Sequence, residues 1–348
     1  MSTNFNNTIR ITSILFIVAL ISSCSGSSNA QQGAGSSASV INSNEANTFT
    51  RRGDSYVKMS LNAYSFSKLL NDHVKGRGKG MSIFELLDFS AEHNFDAVDI
   101  TGYFFPGYPN VPTDEYINQV KKKAFQLGLD ISGTGVRNDF ANPDPAKRAA
   151  DVQHVKDWID VAHKLGAPVV RIFSGVIPAG QENNWDSIAN YMAASIRECA
   201  EYGRQKGVFV GVQNHGDFLK TADETIKLVK LVNSPWFGVI VDTGYFMTPD
   251  PYVDIEKVMP YAINFQVKES VFGAASTVRT DVTRLMNIIK KSGYRGYLPI
   301  ETLSAAGGNK NKRNQDATVT ARPYDPYTLV PAFLKEIKAA HLTVFGEQ

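Results

Sequence analysis

Cysteine is nearly absent from this chain, which has only Cys24 and Cys199 among 348 residues. So few cysteines exclude a disulfide-stapled scaffold, and Cys199 lies in a helical pattern, where a cysteine is more often a small core residue than a nucleophile. An excess of one charge is also absent, because 36 lysines and arginines nearly balance 34 acidic residues to give a net charge of +2. That balance provides no broad field for nucleic acid or an anionic membrane, so we expect no nucleic-acid partner.

Long apolar runs are missing as well, since no internal stretch approaches the ~20 apolar residues that a membrane-spanning helix needs. A short apolar run at 11–21, preceded by Arg10, is typical of a signal peptide. It is followed by two serines and Cys24, which resembles a bacterial lipobox; an ordinary signal peptide with an incidental cysteine is the alternative. The resemblance predicts a lipoprotein signal peptide over 1–23 and lipidation of Cys24. It also implies a lipid anchor to the membrane at the cell envelope, facing the periplasm or the outside.

The segment after this cysteine has too few large apolar residues to form a core. Residues 25–50 are rich in serine, glycine, asparagine, glutamine and alanine, a composition typical of flexible chain. We therefore expect a flexible linker over 24–55. The folded domain should begin near Tyr56 and extend over 56–345.

Eight short apolar, β-branched runs alternate with helical patterns in this domain. The predicted strands cover 57–63, 96–101, 129–134, 168–174, 208–213, 237–242, 262–267 and 296–301. A helix is predicted over 147–165 from apolar spacing, and the capping boxes Ser82/Glu85 and Thr221/Glu224 begin two more. Such alternation favours a parallel sheet, and eight units favour a closed (β/α)8 TIM barrel over an open sheet. The lack of a glycine-rich phosphate loop after the first strand argues against a dinucleotide-binding fold.

The residues that end the predicted strands are the candidate site, because TIM-barrel active sites lie at the carboxyl ends of the strands. Aromatic side chains there offer flat apolar faces for sugar rings, and amides and carboxylates offer partners for hydroxyls. The candidate substrate-binding residues are Asn62, Tyr64, Asp99, Tyr103, Thr134, Arg137, Arg171, Asn214 and Tyr245. Any one of these, taken alone, is also explained as a rim residue that satisfies the backbone. The joint set favours function, because a barrel has no structural need for so many buried polar groups.

The last four strands resemble the xylose-isomerase-like superfamily, which includes sugar isomerases and epimerases. The matching runs are Gln213-Asn214-His215, Asp242-Thr243-Gly244, Gln266-Val267-Lys268-Glu269 and Pro299-Ile300-Glu301. The resemblance implies a carbohydrate substrate and one divalent metal ion of the Mn, Mg or Zn type, with Asp242, Glu301, Gln213 and Gln266 as its ligands. Two of these four depart from the family pattern, which has glutamate and histidine where this chain has Gln213 and Gln266. A hydrogen-bonded polar rim that recognises sugar without metal is therefore the alternative.

The same resemblance implies a reaction in which a proton is abstracted next to a sugar carbonyl. It assigns Glu301 as the base, with Lys268, His215 or Glu269 as acid or as the group that stabilises the oxyanion. Gln213 replaces the second glutamate of the epimerases, so symmetric two-base epimerisation is not available. One-sided proton removal suits aldose–ketose isomerisation, and it also suits β-elimination by a 3-keto-glycoside lyase or hydratase.

Two further functions compete with this interpretation. A non-catalytic sugar-binding lipoprotein would explain the two substituted metal ligands as a decayed active site. A nuclease of the endonuclease-IV type shares the barrel but uses several metal-binding histidines, whereas only His215 ends a strand here and His73 is expected in the loop after the first strand. The basic segments 73–79 and 309–313 are expected to be solvated loops, with lids for an anionic substrate as the alternative. The sequence leaves the oligomeric state open.

Overall fold

The computed structural model describes residues 48–49, 51–215, 218–272, 278–302 and 324–346. The predicted signal peptide, Cys24 and the basic segment 309–313 lie outside these residues and remain predictions. Among the helices of the described ranges, none combines the length and the apolar content that crossing a membrane requires.

Eight parallel strands close into a barrel in sequence order, each paired with the next and β8 paired with β1. The strands β1 to β8 are Tyr56–Asn62, Ala97–Thr101, Asp130–Gly135, Val169–Phe173, Phe209–Gln213, Phe237–Asp242, Ala262–Lys268 and Arg295–Glu301. The predicted TIM barrel is confirmed, and every predicted strand is found within one residue of its expected bounds. The parallel register brings the carboxyl ends of neighbouring strands together, as where Lys268 of β7 pairs with Glu301 of β8.

Helices follow the strands and cover the outside of the barrel. In the described residues, α1 to α9 are Ser67–Val74, Ile83–Glu92, Asp114–Gln126, Pro145–Leu165, Trp185–Lys206, Ala222–Val232, Pro251–Val258, Val282–Lys291 and Pro326–Phe345. Both predicted capping boxes, at Ser82 and Thr221, are present. The helix predicted from 147 begins two residues earlier, because Asp144 caps it and proline occupies its first position. The expectation that His73 lies in a loop was wrong, since it belongs to α1.

Apolar side chains fill the layer between strands and helices. Trp158 and Cys199 are fully buried in this core. Burial raises the pKa of the Cys199 thiol, which keeps it protonated and unreactive. Cys199 is therefore a core residue, as its sequence context predicted.

Polar side chains alternate along the strands and point into the barrel. On β7, Asn264 and Gln266 donate to or accept from groups on β3 and β1 across the interior. Phe265 lies between these two amides and Val267 follows Gln266. Both are fully buried and point toward the helices, because successive strand side chains face opposite ways. Lys268 is the next inward-pointing residue of β7 after Asn264 and Gln266. Because β7 ends at Lys268, its ammonium lies at the carboxyl end of the barrel.

The chain packs on the barrel before the expected start at Tyr56. The Phe49 amide donates to Pro260 O (3.1 Å), and the Arg51 guanidinium donates to Met259 O (3.0 Å) and Ala262 O (2.8 Å). The described end of the predicted linker is therefore anchored to the barrel by Phe49 and Arg51. The average composition of residues 25–50 did not indicate these contacts.

Candidate active site

A cavity of about 460 Å³ opens at the carboxyl ends of the strands. Its volume lies in the range that small-molecule sites occupy, and its position is where TIM-barrel active sites lie. Its lining includes most of the predicted site residues, namely Asn62, Tyr64, Tyr103, Arg137, Arg171, Gln213, His215, Tyr245, Gln266, Lys268 and Glu301. Most of the predicted site residues therefore share one cavity, and their roles stay predictions.

The centre of the cavity floor is a buried charge cluster. The Lys268 ammonium lies 2.5 Å from Glu301 Oε2 and 3.5 Å from Asp242 Oδ2. The three side chains expose 7%, 4% and 0% of their surface, respectively. Burial alone would lower the pKa of Lys268, but the two carboxylates outweigh it and raise that pKa, so the lysine is a cation. Burial raises the pKa of Asp242 to about 6, although Lys268 opposes the shift.

Amide side chains hold the carboxylates and each other in place around this cluster. Gln213 Nε2 donates to Asp242 Oδ2 (2.5 Å), and Asn62 Nδ2 donates to Gln266 Oε1. Asn214 brackets the Asp242 backbone, donating to its carbonyl oxygen (2.9 Å) and accepting from its amide (2.7 Å). The floor is thus a network in which carboxylates and amides have fixed partners.

Arginine and aromatic side chains form one wall. Arg171 donates to Val136 O (2.8 Å) and to the Tyr103 hydroxyl, and its guanidinium stacks 3.9 Å from the centre of the Phe173 ring. The Arg137 guanidinium lies 5.6 Å from the centre of the Tyr103 ring. These contacts hold two guanidinium groups against aromatic rings, and they form a cationic wall of the cavity beside the buried charge cluster.

His215 and Tyr245 form another part of the lining, with ring centroids 4.0 Å apart. Burial, together with the charges of Lys268 and Arg171, lowers the pKa of His215 to about 3. Its imidazole is therefore neutral near pH 7, so the prediction that His215 serves as an acid does not fit its surroundings. A neutral imidazole still offers one donor and one acceptor to a hydroxyl.

Five predicted site residues within the described part of the chain do not line the cavity: Asp242, which is fully buried in the charge cluster, and Glu269, Thr134, Asn214 and Asp99. The Glu269 carboxylate is turned away and pairs with Arg279 (3.2 Å), because it follows the inward-pointing Lys268. Thr134 Oγ1 donates to Ile100 O (2.7 Å) within the sheet. The Asn214 side chain is hydrogen-bonded to the backbone of Asp242. Asp99 is buried with no hydrogen-bond partner at Oδ2, and burial raises its pKa to about 7.

Several lining residues were not predicted, namely Thr101, Asn138, Asp139, Phe173, Gly175 and Val176. Thr101 and Phe173 are the last residues of β2 and β4, so the strand-end rule applied to all eight strands would have found them. Asp139 Oδ1 accepts from the Ala141 amide (3.1 Å) and lies where a side chain at Gly175 would stand. The approach of Asp139 to Gly175 brings two loops together, and the local sequence of neither loop indicates it.

The residues that the resemblance assigns to a divalent cation do not fit one in this arrangement. The relevant oxygens of Asp242, Gln266 and Glu301 each accept a hydrogen bond from a side-chain N–H, and the donor to Glu301 is itself a cation. Gln213 directs its amide nitrogen at Asp242, whereas a hard cation takes oxygen ligands. In the described part of the chain, no three histidine, cysteine, aspartate or glutamate side chains are grouped to hold a metal ion.

Residues 87–321 match the family model of the xylose isomerase-like TIM barrel. No curated protein matches the chain. The match covers more than half of the chain and contains the strand ends that carry Gln213, Asp242, Gln266, Lys268 and Glu301.

Solved structures with a similar fold include an L-ribulose 3-epimerase, which has 17% sequence identity and a TM-score of 0.63 over 83% of this chain and 96% of that one. A D-psicose 3-epimerase crystallised with D-fructose has 16% identity and a TM-score of 0.64 over 83% and 100%. A 3-keto-D-glucoside 4-epimerase from E. coli has 12% identity and a TM-score of 0.61 over 81% and 99%. At such identities the likeness establishes the fold, and the chemistry has to be argued from the residues of this chain.

Proposed function

This chain belongs to the xylose isomerase-like TIM-barrel family, and from this membership we propose that it is a sugar isomerase- or epimerase-type enzyme. The proposed reaction removes a proton from a carbon next to a sugar carbonyl. The observation that carries the proposal is the buried pair of Lys268 and Glu301 at the floor of a sugar-sized cavity. A carboxylate beside an ammonium supplies both the base and the oxyanion partner that this reaction needs.

Glu301 acts as the base in this proposal. Its carboxylate takes the proton from the carbon, the C–H electrons form a carbon–carbon double bond, and the carbonyl electrons move to the oxygen. The Lys268 ammonium donates a hydrogen bond to that oxygen and stabilises the resulting enediolate. Glu301 then returns the proton to the former carbonyl carbon, while the hydroxyl proton of the deprotonated carbon passes to the former carbonyl oxygen. The second oxygen thereby becomes the new carbonyl, which completes an aldose–ketose isomerisation with one base at carbon.

One-sided chemistry is favoured because Gln213 has no carboxyl group to serve as a second base on the opposite face. The lining carboxylate of Asp139 is engaged by the Ala141 amide (3.1 Å). The same observation favours a second candidate function, β-elimination from a 3-keto-glycoside, because that reaction begins with the same proton removal. The two differ only in whether a substituent leaves the neighbouring carbon.

The other walls suit a carbohydrate. Tyr64, Tyr103 and Tyr245 line the cavity with aromatic rings, and Asn62 and Gln266 line it with amides. Rings cover the apolar faces of a sugar, and amides exchange hydrogen bonds with its hydroxyls. A sugar-binding protein without catalysis would use these walls but would not need the buried Lys268–Glu301 pair, whose burial carries a desolvation cost.

The test is incubation of the purified barrel with free ketoses and with 3-keto-glycosides in deuterated water, followed by NMR. Deuterium uptake into an intact sugar supports isomerisation or epimerisation, and release of the aglycone supports elimination. Binding without either result supports the non-catalytic alternative and contradicts the proposal.

The proposed location is the cell envelope, with a lipid on Cys24 as the anchor; this rests on the sequence alone. Metabolic labelling with radioactive palmitate should mark the wild-type chain, and C24A should be unlabelled. A wild-type chain without label would contradict the anchor and leave the proposed chemistry untouched.

A further inference from the structure

The floor of the cavity has two buried carboxylates and therefore requires a positive charge. Asp242 and Glu301 expose 0% and 4% of their side chains. Two such groups ionised without a partner would be strongly unfavourable in a site of low dielectric constant. In the described residues around them, the group that contacts both is the Lys268 ammonium.

The surrounding amides are oriented for this ammonium and not for a metal ion. Gln213 donates through Nε2 to the same Asp242 oxygen that faces Lys268, and the Gln266 side-chain oxygen is taken by Asn62. A divalent ion at this point would need those oxygens as ligands and would be repelled by the ammonium.

We propose that the Lys268 side chain takes the place of a divalent cation between Asp242 and Glu301, so that the reaction centre works without a bound metal. This inference rests on the proposed function, because the oxygen that the cation polarises is the carbonyl oxygen of the sugar. Lys268 is then a catalytic residue that contacts this oxygen, and Asp242 is a positioning residue that holds the ammonium.

The geometry of Lys268 leaves a donor for the substrate. An ammonium has three N–H groups, and here Glu301 Oε2 accepts from it at 2.5 Å while Asp242 Oδ2 lies 3.5 Å away as an ion-pair partner. Lys268 lines the cavity, so a further N–H is available to a ligand oxygen. A hydrogen-bond donor with a fixed direction prefers one oxygen at a time, so we expect binding of a lone carbonyl or hydroxyl in place of the two-oxygen chelate that a metal ion holds.

The first test measures metal directly. Wild type purified without chelator should contain fewer than about 0.1 equivalents of Mn, Zn, Co or Ni by mass spectrometry. Added Mn²⁺, Zn²⁺ or Mg²⁺ should shift its melting temperature by less than about 1 °C, and EDTA should change deuterium exchange by less than about twofold. One bound metal ion per chain that D242N releases would overturn the inference.

The second test restores the family ligand set. Q213E/Q266H/K268M has three carboxylates and an imidazole around the centre and lacks the ammonium. Mn²⁺ or Zn²⁺ should raise its melting temperature by at least several degrees, whereas K268M alone, the matched control, should respond less. A triple variant with a native circular dichroism spectrum that binds no metal would contradict the assignment of Lys268 to the cation position, and a misfolded one leaves the first test to decide.

These results separate the inference from the proposed function. If wild type binds metal and still exchanges deuterium, the inference fails and the function stands. If no sugar exchanges deuterium or releases a substituent, the proposed function fails, and the metal content still decides what occupies the position between the carboxylates.

Discussion

Two lysines of the barrel strands, one at each end of the barrel, pair with carboxylates on other strands. At the amino-terminal end Lys58 Nζ lies 2.7 Å from Asp130 Oδ2, with 41% and 46% of the two side chains exposed. At the carboxyl end Lys268 lies 2.5 Å from Glu301, with 7% and 4% exposed. The distances are alike, but water screens the first pair and is excluded from the second. Burial, more than contact geometry, separates a surface ion pair from a candidate reaction centre.

The surroundings of the two pairs differ in the same way. Asp130 also accepts a hydrogen bond from the Tyr297 hydroxyl (3.0 Å). Two residues further along the same two strands, the hydroxyls of Ser60 and Ser132 form a hydrogen bond with each other (2.7 Å). Near the carboxyl end, Asp99 keeps an oxygen without a partner. The amino-terminal polar groups thus satisfy each other, whereas a buried polar atom nearer the carboxyl end stays unsatisfied.

The largest expected difference between the two ends of the barrel is in deuterium exchange, when one carboxylate charge is removed at either end. E301Q should lower deuterium exchange by about 10²- to 10⁴-fold, because it removes the proposed base while keeping the shape of the side chain. D130N is the matched control and should exchange at the wild-type rate, since it lies at the other end of the barrel. Equal losses in both variants would show that the effect is structural.

The second effect concerns stability and compares the two lysines. K268M should lower the free energy of unfolding by about 3–5 kcal/mol at pH 8, because it leaves Asp242 and Glu301 buried without a cation. Urea denaturation measures this loss. It should shrink as the pH falls toward about 6, because without Lys268 the pKa of Asp242 rises above the value of about 6 that it has beside the lysine. A loss that does not change with pH would point to packing of the lysine stem instead of charge.

Asp99 sharpens the comparison through the pH dependence of stability. Its pKa is about 7 in the folded protein and 3.8 ordinarily, so the folded state binds the extra proton between these values. The stability that this proton provides is complete below the ordinary pKa and is lost as the pH rises through 7. D99N should therefore be more stable than wild type at pH 8, by about 1–4 kcal/mol, and the difference should vanish near pH 4. A difference that is constant from pH 4 to 8 in thermal unfolding would exclude this origin.

The smallest effect is expected at the exposed pair. K58M should change the free energy of unfolding by less than about 1 kcal/mol, because exposed ion pairs contribute little and are screened by salt. The change should fall further in 1 M salt, where screening is stronger. A K58M loss as large as that of K268M would remove the distinction between the two ends.

Strand positions and the location of the site were predictable because both follow from local patterns. Apolar runs fixed the strands to within one residue, and the rule that barrel sites lie at strand ends selected Glu301, Lys268 and His215 together. Glu269 was one of the residues that do not line the cavity, because a residue just past a strand end need not keep the inward direction of the one before it. Its carboxylate finds Arg279 instead.

The partners of the site residues were not predictable, because they come from distant parts of the chain. Asn62 reaches Gln266 across the barrel, and Arg171 reaches Tyr103 on another strand-end segment. The sequence shows that Gln213 and Gln266 replace ligands of the family, but not what replaces the metal ion. Only the closed barrel, which puts the ends of β6, β7 and β8 side by side, brings the Lys268 ammonium between the two carboxylates.

The most direct test of this account is a crystal structure of the barrel with a bound ketose and with Mn²⁺ in the solution. We expect the sugar carbonyl oxygen within about 3 Å of Lys268 Nζ and an adjacent carbon within about 3.5 Å of a Glu301 oxygen. We expect no metal between Asp242 and Glu301. A metal ion at that point with Lys268 turned away, or a sugar bound with its carbonyl far from the lysine, would contradict it.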